Sequence, residues 1–229
     1  MIPKIIHYCW LSNDPLPSSF EAYLNGWRKI MPDYEFMLWN FDRFDIHSSV
    51  WVKEAFEMKK YAFAADYIRL YALYKYGGVY LDLDVEVVKK LDDLLQKNVI
   101  LGFESDNKAI EAGILGGEQK SSWLLDCLKY YEGKHFIKPD GTFENTPLPY
   151  ILYKIIKSKH PAIMPLVLPF DFLTAKDLST LKVVKTENTY TIHHFAGSWT
   201  SPLSCFRRKV KVFIGPLLTS WIVRLKRSF

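Results

Sequence analysis

Cysteine is scarce in this chain, and its spacing excludes two common kinds of site. Only three cysteines occur in 229 residues, and no two of them form a Cys-x-x-Cys pair. A structural zinc site and a redox-active dithiol are therefore not expected. Because the count is odd and sparse, the sequence favours reduced thiols in the cytoplasm.

Long apolar runs are also lacking. The run at residues 212–223 is interrupted by Gly215-Pro216 and is shorter than the roughly 20 residues that a membrane span needs. The opening segment MIPKIIHYCW has no small-residue cleavage site, so we expect no signal peptide.

Acidic residues are absent from the C-terminal tail, which we define as residues 201–229. The tail carries seven basic residues and leaves 23 basic against 25 acidic residues elsewhere, which argues against a nucleic-acid groove across the protein. Within it, residues 205–229 mix basic with apolar side chains. This mixture predicts peripheral contact with an anionic membrane, and hence a location at the cytoplasmic inner face. The alternative is a helix packed on the domain with an ordinary basic surface.

The order of elements predicts one α/β domain. Strands at 4–10 and 34–39 flank a helix at 18–30, which is the start of a βαβ unit. An alanine-rich helix is predicted at 62–76 and ends at Gly77-Gly78. A further strand is predicted at 162–168.

The segment GGVYLDLDVE at 77–86 has the alternation of a half-buried strand. Tyr80, Asp82, Asp84 and Glu86 would share one face, where three carboxylates repel each other. Either that face is hydrated, as on an edge strand, or a positive group lies against it. An Asp-x-Asp pair can also hold a hard divalent cation, which in turn binds a diphosphate.

The preceding helix carries Asp66 and Arg69, which are three residues apart and share a helical face. Since the helix is largely apolar, we expect a buried pair with a specific task rather than a weak surface ion pair. Near the C-terminus, a predicted strand ends in His193-His194. Adjacent strand residues face opposite sides, so at most one of these histidines would be a metal ligand, and a structural role is the alternative.

Together these motifs resemble glycosyltransferase family 32, the Asp-x-Asp sugar transferases related to yeast initiating mannosyltransferase and bacterial capsule transferases. The resemblance rests on the opening IPKIIHYCW, on Asp66-x-x-Arg69 with the following LYKYGGVYLDLD, and on the closing HHFAGSW. It implies a GT-A fold over residues 1–200, with a single Rossmann-like domain and a mixed central sheet, followed by the tail.

The resemblance also implies a site. Asp84 would be the main metal ligand, His194 the C-terminal metal ligand, and Asp82 would contact ribose or metal-bound water. Asp66 and Arg69 would hold the donor sugar. The other expected donor contacts are Trp10 on the nucleotide base, Tyr80 in the donor pocket, and Ser198 and Trp199 on the diphosphate. The chain departs from the family pattern at Ala112, flanked by Glu111, where family members often carry Asn.

The implied activity is that of a metal-dependent, retaining hexosyltransferase. It would use Mn²⁺ or Mg²⁺ and a nucleotide-sugar donor, with a UDP-sugar expected ahead of a GDP-sugar. The acceptor would be a saccharide or a lipid-linked saccharide in surface polysaccharide synthesis. No covalent nucleophile is identified, and same-face attack without one stays open. A metal-dependent phosphohydrolase and a non-catalytic carbohydrate-binding protein are the alternatives.

Overall fold

The structure is a computed structural model that describes residues 1–177, 180 and 182–196. The C-terminal tail and the predicted donor residues Ser198 and Trp199 lie outside the described residues, so the hypotheses about them stay predictions. Among the described helices, none has both the length and the apolar character needed to cross a membrane.

The chain begins with the predicted βαβ unit. Strand β1 covers Ile5–Cys9, helix α1 covers Ser18–Ile30 and strand β2 covers Glu35–Trp39. The two strands pair in parallel, from Ile5 opposite Glu35 to Cys9 opposite Trp39. Helix α1 buries Phe20, Leu24 and Trp27 against the sheet, which explains why the parallel crossover is stable.

Two helices precede the central strand. Helix α2 covers Val50–Glu57 and begins at Ser49, whose side chain accepts a hydrogen bond from the Val52 N–H. Helix α3 covers Tyr61–Tyr76 and leads into strand β3 at Gly78–Leu81. Gly77 between them has φ +68°, and a Cβ there would lie 2.8 Å from the Gln119 backbone nitrogen. A glycine is required at this turn because both conditions exclude a side chain.

Five strands form a mixed sheet in the order β2-β1-β3-β6-β5, where β5 covers Val99–Ile100 and β6 covers Ile114–Gly117. Strand β1 is parallel to both β2 and β3, whereas β6 is antiparallel to β3 and β5. A second, two-stranded sheet pairs β4, Val85–Val87, antiparallel to β7, Thr191–His193.

Helices cover both faces of the five-stranded sheet. On one face pack α2, α3, α5 at Ser122–Lys129 and α6 at Leu148–Lys159. On the other pack α1, α4 at Asp92–Leu95 and α7 at Phe170–Leu173. Two apolar cores therefore sandwich the sheet, and the α/β class with a mixed sheet is confirmed.

Two sequence-based expectations about strands are wrong. The predicted strand at 162–168 is mostly a 3₁₀ helix at Pro161–Leu166, because two prolines cannot donate to a β-ladder. The half-buried strand at 77–86 ends at Leu81, and all of β3 is buried. The chain turns at Asp82, whose carbonyl accepts from the Val85 N–H at 3.0 Å. Helix α3 covers the face that alternation had assigned to solvent.

Candidate active site

A cavity of about 680 Å³ opens at the carboxyl ends of β1 and β3. Helix α3 contributes Asp66 and Arg69, the turn after β3 contributes Asp82 and Asp84, and β7 contributes His193. Ends of parallel strands commonly form ligand sites in α/β sheets, because the loops diverge there. The fold thus brings together residues that lie more than 100 positions apart in the sequence.

The first group in the cavity, which we call the arginine cluster, consists of Asp66, Arg69, Tyr80 and Asp82. Arg69 is buried, with its Nη2 3.2 Å from Asp66 Oδ1 and its Nη1 3.3 Å from Asp82 Oδ2. The same Nη1 donates to the carbonyl of Ala112 at 2.6 Å. The guanidinium lies 4.6 Å from the centre of the Tyr80 ring, and the Tyr80 hydroxyl donates to Asp82 Oδ1 at 2.9 Å. Arg69 is therefore the positive group that faces Asp82, the first aspartate of the Asp-x-Asp motif.

Burial and charge act in opposition within the arginine cluster. Burial alone would lower the pKa of Arg69, but the carboxylates of Asp82 and Asp66 outweigh it and raise this pKa. Burial raises the pKa of Asp66 to about 6, and the nearby Arg69 charge limits that rise. One buried cation is thus shared by two carboxylates.

The second group, which we call the histidine cluster, consists of Asp84, Glu111 and His193. The Nδ1 of His193 is 3.0 Å from Glu111 Oε1, and its Nε2 is 3.2 Å from Asp84 Oδ1. Only the Nδ1 contact has hydrogen-bond geometry, so the buried Nε2 has no hydrogen-bond partner. Asp84 Oδ2 accepts the Ala196 N–H at 2.7 Å.

Pairing between β4 and β7 places His193 beside the aspartates. Val85 lies opposite His193 in the antiparallel register, and the His194 N–H donates to the Asp84 carbonyl at 3.0 Å. Gly113 permits the close approach, because a Cβ there would come within 2.7 Å of His193 Cε1 and 3.0 Å of Asp82 Oδ2.

Charges in the histidine cluster stabilise one another. Burial opposes ionisation of Asp84, but the nearby His193 and the Ala196 N–H lower its pKa. Burial also opposes ionisation of Glu111, whose pKa His193 lowers. His193 shows the reverse: burial lowers its pKa, yet Glu111 and Asp84 together raise it well above the ordinary value. The two neighbouring carboxylates thus favour the protonated form of the buried ring.

Three ligand atoms from Asp82, Asp84 and His193 lie within 4.8 Å of one another. Their chemistry fits Mn²⁺ or Mg²⁺, since two carboxylates supply oxygen ligands and an imidazole supplies nitrogen. The unpartnered Nε2 of His193 supports the fit, because a buried polar atom without a partner is rare in a folded protein. This group is the candidate metal site.

His194 is not part of that group, which corrects the ligand expected from the resemblance. Its Nε2 lies 2.9 Å from Glu86 Oε2, and its ring stacks on Tyr23 with centroids 5.2 Å apart. His193 is the last residue of β7 and His194 follows it, and the two side chains face opposite sides, as the sequence indicated. The member that faces the aspartates is His193.

The remaining expected residues lie as follows. Trp10 lines the cavity, where its Nε1–H donates to the Asp14 carbonyl at 2.9 Å and its ring meets Phe20 edge-on. Tyr80 lines the cavity but is only 1% exposed, and its hydroxyl is used by Asp82. Ser198 and Trp199 fall beyond the last described residue.

Sequence reasoning did not assign a role to three residues that the fold brings into the site. Glu111 contacts His193, Gly113 packs against its ring, and Glu104 lines the same cavity. Burial, with charge from Glu111 and Asp106, raises the pKa of Glu104 to about 7. The only signal for Glu111 was its place beside Ala112, where the chain departs from the family pattern.

Comparison with known proteins agrees with this geometry. Residues 17–101 match the family model described as a glycosyltransferase sugar-binding region containing the DXD motif. Inositol phosphoceramide mannosyltransferase 3 of Schizosaccharomyces pombe is 38% identical over 132 residues. Mannosyl phosphorylinositol ceramide synthase SUR1 of Saccharomyces cerevisiae is 32% identical over 148 residues. The matches cover 56% and 60% of this chain and 36% of each relative.

A solved structure supports the fold. The PaToxG glycosyltransferase superposes with a TM-score of 0.55 at 16% identity, over 72% of each chain. At that identity the likeness concerns the fold alone. The match to residues 17–101 includes α3, the Asp66–Arg69 pair and both aspartates of the motif, so the resemblance read from the sequence is confirmed. Through these residues the chain is similar to the family of glycosyltransferase sugar-binding regions that contain the DXD motif, and it has the GT-A fold.

Proposed function

We propose that the protein is a metal-dependent, retaining glycosyltransferase that moves a hexose from a nucleotide-sugar donor to an acceptor. The observation that carries this proposal is the group of Asp82, Asp84 and His193, whose ligand atoms lie within 4.8 Å of one another on the wall of the cavity. A cavity of about 680 Å³ is in the range that ligand sites occupy.

Asp82, Asp84 and His193 would hold the divalent cation. A divalent cation held there would supply positive charge to offset the negative charge that develops on the nucleoside diphosphate as its bond to the anomeric carbon of the donor sugar breaks. The two aspartates then serve as ligands and need not act as acid or base.

Arg69 takes a different role from the direct sugar contact first expected. Its three nitrogens contact Asp66, Asp82 and the carbonyls of Ala65 and Ala112, and its side chain is 5% exposed. In the proposal Arg69 braces both carboxylates. Asp66, which lines the cavity, accepts hydrogen bonds from sugar hydroxyls and so orients the donor.

The names of the relatives support mannose as the sugar and an inositol phosphoceramide lipid as the acceptor. The chain spans only 36% of the length of each relative, so sugar and acceptor are proposals for this protein. A saccharide or lipid-linked saccharide in surface polysaccharide synthesis is the other acceptor class. Contact of residues 205–229 with an anionic membrane at the cytoplasmic face would suit a lipid acceptor.

The buried Asp66–Arg69 pair and the family match favour a transferase over the two alternatives. A phosphohydrolase that uses Asp82 and Asp84 would not explain why the Asp66–Arg69 pair lies beside them. A carbohydrate-binding protein needs neither the pair nor a cation. Release of nucleoside diphosphate from a nucleotide sugar separates the transferase from the carbohydrate-binding protein.

The test is a donor screen on the purified protein. GDP-mannose and UDP-hexoses are incubated with Mn²⁺, and nucleoside diphosphate release is measured with and without an inositol phosphoceramide acceptor. We expect one donor class to be cleaved, EDTA to stop the reaction and Mn²⁺ to restore it. Full turnover in EDTA would contradict the metal-dependent scheme. Proton NMR of the product shows whether the anomeric configuration is retained.

A further inference from the structure

Glu111 is fixed more tightly than the other carboxylates of the cavity. It is 2% exposed, and three groups hold its two oxygens. Oε1 accepts the Gly113 N–H at 2.7 Å and lies 3.0 Å from His193 Nδ1, while Oε2 accepts the Thr174 hydroxyl at 3.3 Å. A buried carboxylate with these contacts has little freedom to turn.

On the opposite side of the His193 imidazole, Nε2 lies 3.2 Å from Asp84 Oδ1, but this contact lacks hydrogen-bond geometry. Nε2 is buried and makes no hydrogen bond within the part of the chain that the structure describes. It is grouped with oxygen atoms of Asp82 and Asp84 in the candidate metal site. One ring nitrogen is therefore anchored, and the other faces the place where a cation would bind.

We propose that Glu111 is a positioning residue, whose carboxylate holds the Nδ1–H of His193 and so presents the Nε2 lone pair to the divalent cation. Metal-binding histidines usually donate their second N–H to a carboxylate or carbonyl, which sets the tautomer and orients the ring. The inference rests on the metal dependence in the proposed function. It also gives a role to the residue that flanks Ala112, the position where the chain departs from the family pattern.

A matched control separates this role from a general effect of negative charge. Glu104 lines the same cavity, and its side chain makes no hydrogen bond or ion pair with another described residue. At pH 8, above the pKa of about 7 of Glu104, Glu111→Gln and Glu104→Gln each remove one negative charge and preserve side-chain volume. Only the first removes the carboxylate that anchors His193.

The experiment measures the Mn²⁺ dissociation constant by electron paramagnetic resonance, with the full chain and the metal alone as probe. We expect Glu111→Gln to raise the constant about 10- to 100-fold and Glu104→Gln to raise it less than about 3-fold. Equal constants for wild type and Glu111→Gln would overturn the inference and leave metal binding intact. An equal rise in both variants would also overturn it, since charge alone would then suffice.

The imidazole of His193 in the wild-type protein gives a second readout, which does not require Glu111→Gln to fold. Nitrogen-15 spectra of the histidine rings are recorded with saturating Mg²⁺, and His193→Gln assigns the signal. We expect a protonated Nδ1 and an unprotonated Nε2. A protonated Nε2 at saturating Mg²⁺ would overturn the inference. A wild-type protein that binds neither ion would overturn the inference together with the metal-dependent function.

Discussion

Asp82 and Asp84 are two residues apart in one motif, yet they lie in unlike surroundings. Asp82 belongs to the arginine cluster, where the Arg69 guanidinium and the Tyr80 hydroxyl contact its carboxylate. Asp84 belongs to the histidine cluster, where it receives one backbone N–H and faces a ring nitrogen without a hydrogen bond. In the first cluster each charged side chain contacts an oppositely charged group of the protein, whereas in the second His193 Nε2 makes no hydrogen bond to a described residue. Asp82 joins the two clusters, because it contacts Arg69 and is also a candidate metal ligand.

This difference shows how a strand end can combine stability with binding. Removal of a buried arginine that two carboxylates share would leave both carboxylates without their compensating charge. In the histidine cluster, His193 Nε2 is buried without a hydrogen bond to a described residue, which lowers the free energy of unfolding. We therefore expect a change of Arg69 to affect folding first, and a change of Asp84 or His193 to affect metal binding first.

Asp84→Ala tests the metal-binding half of the comparison, and we expect it to have the largest effect. We expect turnover to fall about 10³-fold or more, because loss of the cation removes several kcal/mol of transition-state stabilisation. Nucleoside diphosphate release at saturating Mn²⁺ measures the effect. His194→Gln is the matched control, since this neighbouring histidine contacts Glu86 instead, and its turnover should stay within about twofold of wild type. Turnover of Asp84→Ala within tenfold of wild type would contradict the assigned site.

Arg69→Met tests the structural half of the comparison. The substitution leaves Asp66 and Asp82 without their buried cation, and we expect the free energy of unfolding to fall by about 3–5 kcal/mol. Urea unfolding followed by tryptophan fluorescence measures this change. Arg28→Met, at an exposed position on α1, should change it by less than about 0.5 kcal/mol. Equal stabilities of the two variants would show that the arginine cluster does not support the fold.

His7 sharpens the comparison because it is also a buried histidine, but its pKa is lowered whereas that of His193 is raised. Burial lowers the pKa of His7 to about 4, and its ring lies between the Gly77 carbonyl and the Trp39 indole N–H. The unfolded chain takes up this proton near pH 6.5, so the stability that the neutral ring confers is lost as pH falls from about 6.5 to about 4. The loss amounts to about 3 kcal/mol.

Urea unfolding of wild type and His7→Gln at pH 7 and pH 4 isolates this contribution. Between pH 7 and pH 4 the free energy of unfolding of wild type should fall by about 3 kcal/mol more than that of His7→Gln, since other titrating groups are common to both proteins. A difference that stays constant would show that His7 is not held neutral in the fold.

Gly113→Ala should have the smallest effect, and it tests how closely the clusters pack. The new methyl group would lie 2.7 Å from His193 Cε1, so we expect a loss of about 1–3 kcal/mol in the free energy of unfolding and weaker Mn²⁺ binding. Gly26→Ala is the control, because no atom outside α1 lies within 4 Å of its added Cβ. It should stabilise the helix by up to about 1 kcal/mol. Unchanged stability and Mn²⁺ affinity in Gly113→Ala would show that His193 and Asp82 can shift to accommodate the methyl group.

Local patterns in the sequence predicted much of the fold. Helix α3 and the βαβ unit follow from apolar periodicity and from the glycines at 77–78, and both are observed. The 162–168 prediction failed because an apolar run of this length is compatible with strand or helix, and the two prolines decided it. At 79–86 alternation gave the wrong burial, because periodicity cannot show that a helix covers the second face.

The sequence by itself determined the residue types of the site: two aspartates, a helical Asp–Arg pair and a pair of histidines of which one at most could face them. The tertiary structure decided which histidine it is, because only the pairing of β4 with β7 orients His193 toward Asp84 and His194 toward Glu86. It also decided that Arg69 is the charge against the motif and that Glu111 anchors the ring. Contacts between residues 13 to 109 positions apart depend on how strands and helices pack, and no local pattern in the chain encodes them.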